Sequence, residues 1–199
     1  MTRVVEVAPE RWASWRERFD QRNPDGPQRV VTVEHFDHDP LALLLVRRGG
    51  YAVGTATGAH LTAHKTGTRY VQSRTAAGGW SQQRYARRRA HQADELVEAV
   101  VTHAARVLLD LPGPLPPRRG RDRSTDHAVG AGAGEGGGAA GLVVGGDRSL
   151  VGQVLDDPRL HPLRALPRRE LWDLPDPRLA VLRTALERAR AVRVTLDDG

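Results

Sequence analysis

The chain of 199 residues contains no cysteine. That excludes disulfide scaffolds, cysteine-ligated zinc ribbons, iron–sulfur clusters and thiol nucleophiles. Aromatic residues make up only 5%, so the core has to be built mainly from Leu, Val and Ala. No run of about 18 apolar residues occurs, and a transmembrane helix is therefore not expected. The opening Met1-Thr2-Arg3-Val4-Val5-Glu6 lacks the apolar stretch of a signal peptide, and a cytoplasmic protein is the expectation. Lys65 is the only lysine among the 30 basic residues.

The most informative absence is one of negative charge. Between Pro40 and Ala93 there is no Asp or Glu. The same window holds Arg47, Arg48, Lys65, Arg69, Arg74, Arg84, Arg87, Arg88 and Arg89, a local charge of +9. Subtracting those nine from the overall +6 leaves −3 for the rest of the chain. Charge concentrated in this way repels itself and attracts a polyanion, and RNA is the partner it fits.

What is there reads as alternating strands and helices. Arg3 to Val7 and Gln28 to Phe36 alternate as strands, with a helix over Glu10–Arg22 carrying Trp12, Trp15 and Phe19. Leu41 to Arg47 is a continuous apolar run, as in a strand buried on both faces. Tyr51–Ala56 and His60–Thr66 complete a meander through turns at Gly49-Gly50 and Thr57-Gly58, and Arg69–Ser73 can extend its last strand. Arg74 to Trp80 favours neither state and is read as a mobile loop. Ser81 suits the start of a helix running to about Leu111, with Leu96, Val100, Ala104, Val107, Leu108 and Leu111 on one stripe. Arg118 to Gly141 is Arg-, Asp- and Gly-rich low complexity, an expected disordered insertion. Beyond it come a strand at Leu142–Val144, a helix capped by Ser149 and ending near Leu155, a strand within Arg164–Leu171, and an amphipathic helix over Asp176–Arg190 with Leu179, Leu182, Leu186 and Ala189 on one face. This pattern predicts an α/β fold, a mixed β-sheet with flanking helices, in a single domain over 1–199 interrupted at 118–141.

Familiar chemistry is scarce. There is no Gly-x-Ser-x-Gly elbow. Ser73, Ser81 and Ser149 lie in no sequence signature of a triad. The Gly-rich stretch lacks the Gly-Lys-Ser/Thr end of a phosphate-binding loop. His35 and His38 are three residues apart, and His60 and His64, four apart on one expected strand, fall on one face. No carboxylate lies near the latter pair, and no metal site is assigned. Asp156-Asp157 and Asp197-Asp198 sit where carboxylates are ordinary, at a helix end and a terminus.

What remains is Gly78-Gly79-Trp80-Ser81-Gln82-Gln83-Arg84-Tyr85-Ala86-Arg87-Arg88-Arg89. A glycine pair gives backbone freedom, neutral amides follow at a helix tip, and arginines follow on its flank. The stretch resembles the peptidyl-tRNA-hydrolysing domain of eukaryotic and archaeal class 1 release factors, where Gly-Gly-Gln precedes Ser-x-x-Arg-Phe-x-Arg-x-Arg. Gly78 and Gly79 match the glycines, and Ser81, Arg84, Tyr85, Arg87 and Arg89 match the tail. Trp80 stands where that family has glutamine. The closer resemblance is to the related bacterial Vms-like release factors, whose Gly-x-x-Gln pattern is met by Gly79-Trp80-Ser81-Gln82. Upstream, His64-Lys65 and Arg69-Tyr70 are similar to the strand leading into that loop.

The resemblance implies a release-factor middle-domain-like, RNase H-like fold and a ribosome-rescue activity: hydrolysis of the peptidyl-tRNA ester on stalled large ribosomal subunits. It implies that Gln82 positions water, or Gln83 if the register differs by one, while Gly78 and Gly79 allow the backbone turn. Lys65, Arg69, Arg74, Arg84, Arg87, Arg88 and Arg89 would hold RNA phosphates, with Trp80 stacking on a base or anchoring the loop. The implied partners are the peptidyl transferase centre of the large subunit and peptidyl-tRNA, with no cofactor, no metal, no membrane, and a monomeric protein. Two alternatives stay open on the sequence: a non-catalytic ribosome or tRNA binder, and a nuclease acting at the tRNA 3′ end.

Overall fold

The computed structural model describes residues 1–24, 26–68, 81–109 and 138–198, with side chains described throughout these except over 81–92. Eight strands and five α-helices occur among them. They are β1 (Thr2–Val7), α1 (Trp12–Arg22), β2 (Arg29–Glu34), β3 (Leu41–Arg47), β4 (Gly50–Thr57), β5 (His60–Thr68), α2 (Ser81–Leu108), β6 (Gly141–Gly146), α3 (Arg148–Leu155), α4 (His161–Arg164), β7 (Arg168–Leu171), α5 (Leu179–Arg190) and β8 (Val192–Asp197).

The larger sheet has the order β5-β4-β3-β6-β7. The β3–β4 and β4–β5 pairs are antiparallel; β3–β6 and β6–β7 are parallel. The sheet is mixed and helices flank it, the α/β arrangement expected from the sequence. β3 lies at its centre, and its apolar run follows from that position: neighbours on both edges and helices over both faces leave Leu41–Val46 at most 1% exposed. Ala42, Leu44 and Val46 pack with Tyr51, Val53, Leu142 and Val144 against Leu96, Val100, Val101, Ala104 and Leu108 of α2 and against α3. Leu41, Leu43 and Leu45 face the other way, onto Leu182, Ala185, Leu186 and Ala189 of α5.

The remaining strands form a second, antiparallel sheet, β1-β8-β2, a division that the sequence reading did not draw. Val192, Val194 and Leu196 alternate inward from β8, and Trp12, Trp15 and Phe19 of α1 cover that face together with Val5 and Val30. Ion pairs tie this unit to the larger sheet. Glu6 of β1 accepts from Arg188 Nε at 2.8 Å and from Arg193 Nε at 3.3 Å, while Arg188 Nη1 also reaches Asp173 at 2.9 Å. Arg169 of β7, 5% exposed, lies 3.7 Å from Glu34 and donates to the Ala191 carbonyl at 3.1 Å.

Three local expectations are corrected. Asp147, not Ser149, caps α3: its Oδ1 accepts from the Ser149 and Leu150 amides at 3.0 and 3.2 Å, while Ser149 already lies inside the helix. The strand expected over Arg164 to Leu171 is present as β7 but begins only at Arg168, because the helical stretch that starts at Pro158 runs on to Arg164. Gly141, at the end of the expected insertion, is the first residue of β6, and the expected disorder over 118–137 lies outside the described residues.

Candidate nucleic-acid interface

The strand directions decide where the acid-free window comes together. Two antiparallel steps make β5 parallel to β3 and β6, so all three strands end at one edge of the sheet. There lie Arg47 and Arg48, Lys65 and Thr68 near the end of β5, and Gly146-Asp147 after β6. Thr68 ends β5 at that edge, and α2 begins at Ser81. The carboxyl ends of parallel strands are where open α/β sheets present their functional groups.

Of the proposed site residues, Arg69, Arg74, Gly78, Gly79 and Trp80 lie outside the described residues, as does the expected loop mobility. Gln82, Gln83 and Arg84 occupy the first turn of α2, which begins at Ser81 as the sequence predicts, and Arg87, Arg88 and Arg89 follow one turn later. Amide N–H groups in a first helical turn have no intrahelical acceptor and sit at the positive end of the helix dipole.

Lys65 is fully described. It pairs with Val53, which faces α2, and cross-strand partners share a face, so Lys65 is half-buried on the α2 side. Nearby, the Tyr51 ring stacks on His103 of α2 at 5.5 Å between centroids, with Tyr51 Oη 2.9 Å from His103 Nδ1. His103 Nδ1 lies 2.7 Å from the Ala99 carbonyl, which can only accept. A Cβ on Gly67 would collide with the Tyr51 ring, so the end of β5 passes the ring only because that residue is glycine. This packing fixes the end of β5.

Burial pushes the His103 pKa down from 6.5, the Ala99 hydrogen bond opposes the shift, and the charges of Lys65 and Arg106 reinforce it. The neutral ring is thus the folded form. Below about pH 6.5 the unfolded chain binds the proton more readily, and the contribution of this group to stability is lost as pH falls through the lower folded value. The melting temperature of the wild type should drop more between pH 7 and pH 5 than that of His103→Gln. Parallel curves would show that His103 does not titrate in this way.

Arg47, Arg48, Gly49, Gly146, Asp147 and Asp176 line an open cleft of about 340 Å³ at the same sheet edge. Arg47 Nη1 is 3.9 Å from Asp176, whereas Arg48 has no ion-pair partner among the described residues. The acids that close the window on α2 are partly engaged: Glu98 accepts from Arg159 Nη1 and Nη2 at 3.0 and 2.8 Å, and Arg159 also holds Asp157. Those contacts keep both carboxyls below their usual range.

The expectation that His60 and His64 share a face is overturned. The β4–β5 register skips Thr62, a bulge that reverses the alternation. His60 pairs with Thr57 on the α2 side, while His64 pairs with Gly54 on the α5 side. No cluster of three metal-ligating side chains occurs among the described residues. Asp157 and Asp198 serve structure, the first pairing with Arg159 and the second accepting from Gln28 Nε2 at 2.8 Å.

What fold and site define is an α/β protein in which an acid-free, basic window of the sequence includes strand ends at one edge of a mixed sheet and the first turns of α2. The family model described as Actinobacteria/chloroflexi VLRF1 release factor matches residues 39–195. The chain belongs to that family, and with it to the release factors. No match is found among curated proteins. Residues 1–38, which supply β1, α1 and β2, lie outside the matched segment. Among the described residues, no helix is long and apolar enough to cross a membrane.

Proposed function

We propose that the protein hydrolyses the ester of peptidyl-tRNA on stalled large ribosomal subunits. The observation that carries this reading is the position of Gly79-Trp80-Ser81-Gln82 in a chain of this family: the motif ends on the first turn of α2, one residue after the helix begins. Water adds to the ester carbonyl, the bond to the tRNA 3′ oxygen breaks, and a peptide acid and a tRNA 3′ hydroxyl result. A neutral amide is too weak a base to take the proton. It orients the attacking water, and amides of the first helical turn are suited to stabilise the developing oxyanion. The ribosomal RNA and the terminal ribose of the tRNA supply the proton path.

Gly78 and Gly79 let the segment enter the peptidyl transferase centre. Lys65, Arg69, Arg74, Arg84, Arg87, Arg88 and Arg89 hold RNA phosphates around it, and Trp80 stacks on a base. The protein works in the cytoplasm as a monomer and as one domain.

Purified large subunits carrying peptidyl-tRNA provide the test. Incubation with the protein should convert peptidyl-tRNA to free tRNA on a gel, with the tRNA 3′ end intact. A shortened 3′ end would establish tRNA cleavage in place of ester hydrolysis, and tight binding without loss of peptidyl-tRNA would establish a non-catalytic binder.

A further inference from the structure

The N-terminal unit raises a separate question, because α1 carries charge that the fold does not use. Each carboxylate of α1 and its preceding turn has a partner: Glu10 pairs with Arg190 at 3.6 Å, Asp20 with Arg16 at 2.9 Å, and Glu17 accepts from Gln21 at 3.2 Å. Arg11, Arg18 and Arg22 are exposed and have no carboxylate within ion-pair reach among the described residues; Arg18 donates only to the Ser14 carbonyl, at 3.0 Å. Arg18 and Arg22 are four residues apart, a like-charge pair that costs helix stability.

The spacing of these residues is regular. Arg11, the residue that caps α1, and Trp15, Arg18 and Arg22 within it follow i, i+4, i+7, i+11 and fall in one row. A rise of 1.5 Å per residue puts the three arginines about 10 Å and about 6 Å apart along the axis, the scale of neighbouring phosphates. Trp15, half-buried, is held between Trp12 and Phe19 in a stack with centroid distances of 5.5 and 5.3 Å. Both faces of the ring are thereby covered, and only its edge borders the row. Exposed arginines without carboxylate partners, spaced in this way, suit a nucleic-acid backbone, since guanidinium forks bind phosphate.

We infer that α1 and the turn before it form a second RNA-docking surface, in which Arg11, Arg18 and Arg22 engage ribosomal RNA phosphates. This rests on the release-factor reading but concerns a different part of the molecule. Residues 1–38, which carry α1, lie outside the family-matched segment and are fastened to it by the pairing of β1 and β2 with β8 and by the Glu6–Arg188–Arg193 ion pairs. This surface anchors the protein on the subunit independently of the basic residues between Lys65 and Arg89.

The test is binding of the full-length protein to purified large subunits over a range of salt concentrations. Replacing all three residues, Arg11→Gln, Arg18→Gln and Arg22→Gln, should weaken binding at least about tenfold at physiological salt. It should also reduce the slope of log K against log salt by about 2 to 3, because each phosphate contact contributes about 0.7 to 0.9. The corresponding triple lysine variant should restore the slope, and the pair Arg18→Gln and Arg22→Gln should lose part of it. Chemical footprinting should show rRNA nucleotides protected by the wild type and released in the glutamine variant. A folded glutamine variant with an unchanged slope would overturn the inference while leaving the release activity standing. Crosslinks from α1 to an acidic ribosomal protein, without an rRNA footprint, would also overturn it. A wild-type protein that binds no large subunits would sink the release-factor reading and this inference together.

Discussion

Gln82→Ala should lower peptide release from stalled large subunits by at least about 100-fold and leave binding to those subunits unchanged. The size follows from what the side chain is proposed to do. Misplacing a reacting group by about an ångström costs on the order of 100-fold, and losing one preorganised donor costs a similar factor or more. Alanine keeps the amide N–H of residue 82 and suits a first helical turn, so α2 should persist and only the water-placing group is removed. Binding should survive because the proposed phosphate contacts are those of the arginines and Lys65, which the substitution leaves in place. The neighbouring Gln83→Ala decides the register: if it is the damaging change and Gln82→Ala is mild, the motif acts one residue later than Gly79–Gln82 implies. If both variants release peptide at the wild-type rate, no glutamine places the water and the proposed mechanism is wrong.

Much of the larger sheet was legible because its signals are local. The run Leu41–Val46 announced a strand covered on both faces, and Leu96, Val100, Ala104 and Leu108 announced the buried stripe of α2. The second sheet was not legible, for a different reason. Val192, Val194 and Leu196 alternate plainly enough, but the partners of β8 are β1 and β2, strands from the other end of the chain, and no local pattern reports such a pairing. The bulge at Thr62 was equally hidden: a single skipped residue moves His60 and His64 to opposite faces without changing the composition of the strand. The same limit applies to the cap of α3. Ser149 and Asp147 are both good caps by type, and only the backbone geometry gives the role to Asp147. For the candidate site, sequence supplied the order strand, glycine-bearing segment, arginine-bearing helix. The parallel strand directions that bring Arg47, Arg48, Lys65 and Gly146 to one sheet edge, and the Tyr51–His103–Gly67 packing beneath, needed the fold.

That sheet edge should tolerate substitution very unevenly, and two glycines measure the contrast. Gly146→Ala should destabilise the protein by about 2 to 4 kcal/mol. Gly146 ends β6 with φ near +99°, a backbone conformation that costs a residue with a Cβ about 1 to 3 kcal/mol. The new methyl would also run into the Val46 carbonyl oxygen. That oxygen cannot yield freely, because it accepts the Asp147 amide at 2.7 Å and belongs to the central strand β3. Moving it would disturb the Arg47–Arg48 turn on one side and the Asp147 cap of α3 on the other. Gly152→Ala, only six residues later, should act in the opposite direction. Gly152 lies on the exposed side of α3 with nothing near the position of a new Cβ, so alanine should stabilise by about 0.5 to 1 kcal/mol through helix propensity alone. Urea unfolding of both variants beside the wild type gives the comparison, with midpoints moving apart in opposite directions. A Gly146→Ala midpoint within experimental scatter of the wild type would mean that the turn joining β6 to α3 is not held as described, and the Arg47–Arg48 cleft built on it would have to be redrawn.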